Sequence, residues 1–111
     1  MNWIPLNSEA QIDQIKSDSA LRPQLIFKHS TRCSISSMAR GRMERTESPA
    51  GVDFYFLDIL NHRELSRQVA AIFSVPHESP QVLLIRDGHC IYDESHTGIN
   101  MEEIAEKSMA A

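Results

Sequence analysis

The chain has 111 residues, a mass of 12.6 kDa and a formal net charge of −4, from 11 basic and 15 acidic residues. This length suffices for one domain with one modest core, which we expect to span residues 1–111. The hydrophobic share of 41% and the charged share of 23% argue against a disordered, collagenous or coiled-coil chain. The acidic balance, without a long basic stretch, argues against a nucleic-acid-binding protein.

The sequence also restricts the compartment in which we expect the protein. It has no run of 18 apolar residues, and its N-terminus lacks the basic start and long apolar stretch of a signal peptide. Its two cysteines, Cys33 and Cys90, are too few for a disulfide framework. We therefore expect a protein of the reducing cytoplasm that does not contact a membrane.

The first half of the chain alternates between extended and helical patterns. Its predicted elements are, in chain order, an edge strand at Trp3–Leu6, a helix opened by a capping box at Ser8–Gln11, a buried strand at Leu25–Phe27, a polar loop at His29–Arg32, and a helix with Ile35, Met38, Ala39 and Met43 on one side. Pro23 separates the first helix from the strand that follows, because proline is disfavoured inside helices.

The second half continues the alternation and then turns back on itself. Its predicted elements are a strand at 52–57, a helix with Leu65, Val69, Ile72 and Phe73 at helical spacing, a strand at 82–85, a tight turn at Asp87-Gly88, a strand through Ile91 and Tyr92, and a last helix capped by Asn100 with Ile104 inward. Because residues 82–85 are an unbroken apolar run, we expect both faces of that strand to be covered. The order β-α-β-α-β-α-β-β-α predicts an α/β fold with a mixed sheet of four or five strands flanked by helices.

Cys33 stands where the second predicted helix begins. The first turn of a helix has free N–H groups and the positive end of the helix dipole, and both favour a thiolate over a thiol. His29, Arg32 and Arg40 are near in sequence and are expected to add positive potential. We therefore expect the pKa of Cys33 to lie below the free value of about 8.5 and assign it as the catalytic nucleophile, the alternative being an inert helix cap.

Cys33 opens a C-x-x-S motif that ends at Ser36. In a C-x-x-C motif the second thiol resolves a mixed disulfide internally, which a hydroxyl cannot do. Ser36 can instead donate a hydrogen bond to the Cys33 sulfur, and we place it in the catalytic site for that reason. The alternative is an ordinary serine in the first turn of a helix.

Two segments resemble a known family. Residues 27–36, Phe-Lys-His-Ser-Thr-Arg-Cys-Ser-Ile-Ser, and residues 77–82, His-Glu-Ser-Pro-Gln-Val, resemble the monothiol bacilliredoxins, small proteins of the bacillithiol system, and Ser95-His96 is similar to that family as well. Ser34 departs from the pattern, since many members have proline there. The order of elements, with Pro80 before the apolar strand, resembles the thioredoxin fold over nearly the whole chain.

The resemblance implies a single thioredoxin-like domain in which the Ser79–Pro80 peptide bond is cis and faces Cys33. Ser79 would then offer its backbone N–H and C=O to a substrate in a strand-like pairing. The substrate-binding residues that the resemblance implies are Thr31, Arg32, Ser34, Ser79 and Pro80.

The resemblance also implies an activity, that of a monothiol thiol–disulfide oxidoreductase removing bacillithiol from mixed disulfides with client proteins. Bacillithiol would be a co-substrate, with no tightly bound cofactor, and a second small-thiol molecule or a partner redoxin or reductase would release it from Cys33. The residues leave two alternatives open. One is a non-catalytic adaptor on the same fold, which an ordinary thiol pKa would favour, and the other is a glutaredoxin-like monothiol protein that uses glutathione or holds an iron–sulfur cluster.

The remaining candidate residues favour structural roles. Cys90 lies in a predicted strand and is expected to be a buried small hydrophobe rather than a resolving thiol. Cys33 and His29 provide two metal ligands at best, so we expect no metal site. The basic residues of the second helix are expected on one solvated face, with attraction of an anionic thiol as the alternative; they are Arg40, Arg42 and Arg45.

Overall fold

The computed structural model describes residues 1–110 and has the predicted order of strands and helices, with one added 3₁₀ turn. The strands are β1 (Trp3–Pro5), β2 (Gln24–His29), β3 (Asp53–Asp58), β4 (Gln81–Arg86) and β5 (His89–Ser95). The helices are α1 (Glu9–Asp18), α2 (Ser34–Arg45), α3 (Arg63–Phe73) and α4 (Met101–Ala110), and the 3₁₀ turn at His96–Gly98 precedes α4. The strands form one sheet in the order β1-β3-β2-β4-β5.

The sheet is mixed, because β1, β2 and β3 run parallel whereas β4 is antiparallel to both β2 and β5. Strands β2 and β4 are adjacent interior strands of the sheet. Every residue of β2 is buried, and so is every residue of β4 as far as Ile85. This burial confirms the prediction that both faces of residues 82–85 are covered, and it explains why their sequence does not alternate.

Helices cover both faces of the sheet and enclose a core on each. One core joins residues such as Ile26 and Leu83 of the sheet to Leu65 and Val69 of α3. The other joins Leu25 and Phe27 to residues of α2 and α4, including Ala39, Met43 and Ile104. Because successive residues of a strand point to opposite faces, Lys28 extends to the α3 side and His29 to the α2 side.

Local signals read from the sequence set the ends of several elements. The Ser8 N–H donates to Gln11 Oε1 at 3.0 Å, as a capping box requires. The Glu103 N–H donates to Asn100 Oδ1 at 2.8 Å, which confirms Asn100 as the cap of α4. Asp87 and Gly88 both have positive φ, 52° and 79°, the backbone geometry of a two-residue hairpin turn.

Three residues of the predicted apolar helix faces are exposed. The exposed fractions are 44% for Ile35, 64% for Met38 and 42% for Ile72. In α2 the buried residues are instead Ser36, Ala39 and Met43, which follow the i, i+3, i+7 spacing of one helical face. Ile35 and Met38 each precede one of these buried residues by one position, so they lie on a neighbouring face of α2 that does not contact the core.

The predicted polar loop also begins later than expected. Strand β2 continues through His29, which is 2% exposed, and Ser30 is buried as well. Polar residues at the end of a strand are buried here because α2 packs over them. None of the helices within residues 1–110 has the length and hydropathy needed to cross a bilayer.

Candidate active site

Two loops meet at one edge of the sheet, and Cys33 lies in the first of them. Strands β2 and β4 pair in antiparallel register with Lys28 opposite Gln81, so the end of β2 lies beside the start of β4. The loop that carries Cys33 leaves β2 at this edge, and the Ser79–Pro80 segment enters β4 at the same edge. The topology therefore brings the cysteine loop and the proline loop together.

Cys33 is the N-cap residue of α2 and has extended backbone angles, φ −104° and ψ 120°. Its N–H donates to the Ser30 carbonyl at 3.2 Å, and its carbonyl accepts from the Ser37 N–H at 3.0 Å. The side chain is half-buried, and its thiol is free rather than part of a disulfide. Cys33 thus lies at the end of α2 where the first backbone amides are free and the helix dipole is positive.

Ser36 does not take the role that the motif suggested. Within the described residues no hydrogen bond joins its hydroxyl to the Cys33 sulfur. The Ser36 side chain is fully buried, its Oγ accepts from the Ser30 N–H at 3.1 Å, and its Oγ lies 2.5 Å from His29 Nδ1. As the third residue of α2 it faces the end of β2, so the expected donor to the sulfur is corrected to a residue that anchors the cysteine loop.

His29 does not supply the positive charge that its position in the sequence suggested. Its ring packs against those of Phe27 and Phe56, with centroid distances of 5.5 and 5.1 Å. Burial first, and the charge of Arg40 second, lower the pKa of His29 below its ordinary value, so the imidazole is neutral at neutral pH. Arg40 itself pairs with Glu44 at 3.2 Å. Of the three residues expected to add positive potential, Arg32 is exposed and directly precedes Cys33.

The proline loop has one feature that the resemblance implied, a cis peptide bond. The Ser79–Pro80 peptide bond is cis, and the Pro80 carbonyl accepts from the His96 N–H at 3.0 Å. The Ser79 hydroxyl oxygen is buried and has no hydrogen-bond partner within residues 1–110. Since buried hydroxyls are almost always paired, Ser79 has an unused polar atom at the edge of the sheet where substrate is expected.

The arginines of α2 do not share one solvated face, so that prediction is wrong. Arg42 donates to the carbonyls of His96 and Ile99, at 3.0 and 3.1 Å. Arg40 pairs with a glutamate one turn away, whereas Arg45 is exposed. Arg42 thereby joins α2 to the 3₁₀ turn that also holds the proline loop.

The surface around the sulfur combines polar and apolar side chains. Thr31, Arg32 and Ser34 are all exposed and flank the half-buried cysteine. Ile35 and Met38 add an exposed apolar area on the same end of α2. This exposed area could not be predicted from the sequence, because helical periodicity identifies an apolar stripe but does not show whether the core or a partner covers it.

Cys90 lies at the other end of the sheet. It is opposite Ile85 in the β4–β5 register, whereas Pro80 precedes the first residue of β4. At about 3.4 Å per residue this separation along β4 is well beyond the Cα distance of about 7 Å that a disulfide to the cysteine loop would need. Its sulfur donates to the Tyr92 carbonyl at 3.3 Å, and burial raises the pKa of Cys90. Residues 1–110 contain no group of three or more His, Cys, Asp or Glu arranged to hold a metal ion.

Comparison with known proteins identifies the family and the fold. The sequence matches the family described as monothiol bacilliredoxin BrxC over residues 4–104. A solved structure described as a candidate oxidoreductase with a thioredoxin fold is 29% identical, with a TM-score of 0.78 over 94% of this chain and 91% of that one. Thioredoxins from Malassezia sympodialis and Trypanosoma brucei brucei are each 15% identical, with TM-scores of 0.74 and 0.73; 98% of this chain is covered, and 90% and 89% of theirs.

The two thioredoxins show the fold alone, and they confirm the predicted thioredoxin-like α/β architecture. The family match includes both the cysteine segment and the proline segment on which the resemblance rested. Family and fold are those of proteins that carry out thiol-redox chemistry. The chain belongs to the monothiol bacilliredoxin BrxC family.

Proposed function

We propose that this protein is a monothiol thiol–disulfide oxidoreductase that removes bacillithiol from mixed disulfides with client proteins. The observation that carries the proposal is the position of Cys33 at the start of α2, with the buried Ser36 where a C-x-x-C protein has its resolving thiol. Bacillithiol is the co-substrate, and the reaction needs no tightly bound cofactor.

The first step is an exchange at sulfur. The Cys33 thiolate attacks the bacillithiol sulfur of the mixed disulfide, so that a new S–S bond forms as the bond to the client sulfur breaks. The electron pair leaves on the client sulfur, which takes up a proton. One disulfide is consumed and one is formed, so this step involves no net oxidation or reduction.

The second step requires a thiol from outside the chain. Ser36 has no sulfur, and Cys90 is at the far end of β4. A second bacillithiol, or a partner redoxin or reductase, therefore attacks the bacillithiol sulfur and frees the Cys33 thiolate. When bacillithiol is the attacking thiol, the product is oxidised bacillithiol.

The residues around the sulfur support binding of an S-thiolated client. In the proposal the backbone of Ser79 pairs with an extended client segment, and its unpaired hydroxyl accepts or donates one further hydrogen bond. The exposed side chains of Thr31, Arg32 and Ser34 contact the small thiol or the client on the other side of the sulfur. Pro80 fixes the loop that presents Ser79.

The test uses a client protein with a single cysteine in disulfide linkage to bacillithiol, and mass spectrometry follows the label. We expect wild type and Cys90→Ser to take up bacillithiol and release the reduced client, and Cys33→Ser to do neither. Parallel clients labelled with glutathione or coenzyme A identify the small thiol. Transfer by Cys33→Ser would overturn the proposed nucleophile, and equal or faster transfer from the other labels would overturn bacillithiol as the preferred thiol.

A second candidate function, a non-catalytic adaptor, is favoured by one observation. Ile35 and Met38 are 44% and 64% exposed beside the cysteine, an apolar surface suited to docking another protein. An adaptor would bind its partner equally well as wild type or as Cys33→Ser and would take up no label from any of the three clients. The oxidoreductase predicts the opposite for label uptake, so the same experiment distinguishes the two functions.

A further inference from the structure

Lys28 is a buried cation without an anionic partner. Its side chain is 0% exposed, and its Nζ donates to the Ser66 carbonyl at 3.2 Å and lies 3.2 Å from His77 Nδ1. Within residues 1–110 no carboxylate is within 4.0 Å of that nitrogen. Burial lowers the pKa of Lys28 to about 8, so at neutral pH the ammonium is still mostly charged. A buried charge in this state is costly unless an opposite charge approaches it.

A cavity of about 480 Å³ is lined by Ser66 and His77, the two residues that the Lys28 ammonium contacts. The volume is in the range of small-molecule sites. The residues that line the cavity come from the end of β3, from α3 and from the segment before the proline loop; they are Ile59, Leu60, Arg63, Ser66, Arg67 and His77. Lys28 lies directly behind the residues that form the wall of the cavity, since its two contacts, Ser66 and His77, are both lining residues.

The cavity has an excess of positive charge. Arg67 is compensated, because its Nη2 and Nε lie 2.8 and 3.1 Å from Glu64 Oε2. Arg63 has no carboxylate within 4.0 Å in the described part of the chain. Arg63 in the cavity lining and Lys28 behind it therefore both lack a carboxylate within 4.0 Å.

His77 provides a neutral donor at the same place. Burial and the charge of Lys28 lower its pKa, while the charge of Glu78 acts in the opposite direction. The ring is therefore neutral at neutral pH, and its Nδ1 accepts from the Lys28 ammonium. The proton of the neutral ring is then on Nε2, which leaves an N–H available as a donor.

We propose that this cavity is a binding site for a small aliphatic carboxylate. Arg63 pairs with the carboxylate, and His77 donates a hydrogen bond to it. The ammonium of Lys28 attracts the same anion from behind the wall of the cavity. Ile59 and Leu60 contact the hydrocarbon part of the ligand, which favours a carboxylate with an aliphatic chain over a fully hydrated inorganic anion.

The proposed carboxylate site is separate from the Cys33 site. Lys28 and α3 lie on one face of the sheet, whereas α2 and its N-terminus pack on the other. No residue of the cavity takes part in the thiol-exchange reaction proposed above. The two proposals can therefore fail independently, and Cys33→Ser is expected to bind carboxylate as wild type does.

Isothermal titration calorimetry of the full chain with succinate tests the site. We expect wild type to bind succinate and not succinamide, which has the same carbon chain without charge, and to bind inorganic phosphate more weakly. Lys28→Met and Arg63→Gln should each weaken succinate binding about tenfold, the size of one lost charge-assisted contact. Arg86→Gln removes the same charge at the opposite end of β4 and should leave the affinity within about twofold.

A second readout links binding to the lysine itself. An anion near Lys28 raises its pKa above about 8, so at pH 8 succinate binding should take up part of a proton. The observed enthalpy then depends on the ionisation enthalpy of the buffer in wild type and not in Lys28→Met. Binding without this dependence, equal affinity for succinamide, tighter binding of phosphate, or unchanged succinate affinity in both Lys28→Met and Arg63→Gln would each overturn the proposal.

Discussion

The hydroxyl oxygen of Ser36 and the Nδ1 of His29 lie 2.5 Å apart in the interior of the protein. The same oxygen accepts the backbone N–H of Ser30. His29 ends β2, and Ser36 is in the first turn of α2, so one side chain holds both ends of the loop that contains Cys33. The serine of the C-x-x-S motif is therefore a positioning residue for that loop.

Replacement of Ser36 by alanine should lower the free energy of unfolding. The buried Ser30 N–H and His29 ring nitrogen each lose a partner, which costs about 1–3 kcal/mol. Urea unfolding of wild type and variant measures the difference. Ser37→Ala is the matched control on the exposed side of the same turn and should change stability by less than about 0.5 kcal/mol. Equal effects at the two positions would contradict this role.

Replacement of Ser36 by cysteine should convert the protein into a dithiol. Residues at i and i+3 at the start of a helix have Cα atoms within the usual disulfide range of about 4.4–6.8 Å. We expect the new thiol to attack the Cys33 sulfur of the disulfide with bacillithiol. Bacillithiol is then released with no external thiol added. Mass spectrometry would show a chain lighter by two hydrogen atoms than the reduced variant. Ser37→Cys, whose side chain is exposed, should retain bacillithiol on Cys33, and the same retention by Ser36→Cys would refute the prediction.

Lys28→Met should be more stable than wild type at pH 7. The substitution replaces a buried, uncompensated ammonium by an apolar chain of similar length, and we expect a gain of about 1–3 kcal/mol. Thermal or urea unfolding at pH 7 measures it. A variant less stable than wild type would show that the two hydrogen bonds of Lys28 outweigh the cost of its burial.

The pH dependence gives the same residue a second test. Because the pKa of Lys28 is about 8 in the folded chain and 10.5 ordinarily, the unfolded chain binds more protons between these values. The free energy of unfolding of wild type therefore rises with pH between about 8 and 10.5 because of Lys28. Below pH 8 this residue adds no pH dependence. Lys28→Met lacks it, so the advantage of the variant should shrink over this range. A pH-independent difference between the two proteins would contradict the assignment.

Arg42→Gln should loosen the connection between α2 and the proline loop. Wild type has two hydrogen bonds from this guanidinium, to the carbonyls of His96 and Ile99, and the His96 N–H in turn holds Pro80. Loss of these bonds should cost about 1–2 kcal/mol and speed hydrogen exchange at the His96 amide. Arg45→Gln, an exposed arginine of the same helix, is the control and should change neither quantity.

Much of the fold could be predicted because local signals agree with it. The capping residue Asn100, the Asp87-Gly88 turn and the apolar run at 82–85 each depend on short-range chemistry that a sequence displays directly. The location of Cys33 at the start of a helix was predictable for the same reason. Cap and turn residues act through bonds to neighbours only a few positions away.

The rest depended on packing that a sequence does not display. Lys28 and His29 have the polarity of loop residues, yet both are buried because α3 and α2 pack over the end of β2. Ser36 faces inward and Met38 outward because the buried stripe of α2 is set by its rotation against the sheet. Neither the partner of a polar side chain nor the rotation of a helix follows from periodicity alone.

The strand order has a consequence for how the chain can be divided. β3 belongs to the second half of the chain but lies between β1 and β2, which belong to the first half. A cut in the connection between residues 46 and 52 would separate β1 and β2 from β3, the strand that pairs with both of them. It would also place Cys33 and Pro80 on different fragments. Neither fragment should fold alone, whereas mixing them should rebuild the interleaved sheet and with it the reactive edge, which makes this position suited to a split-protein reporter.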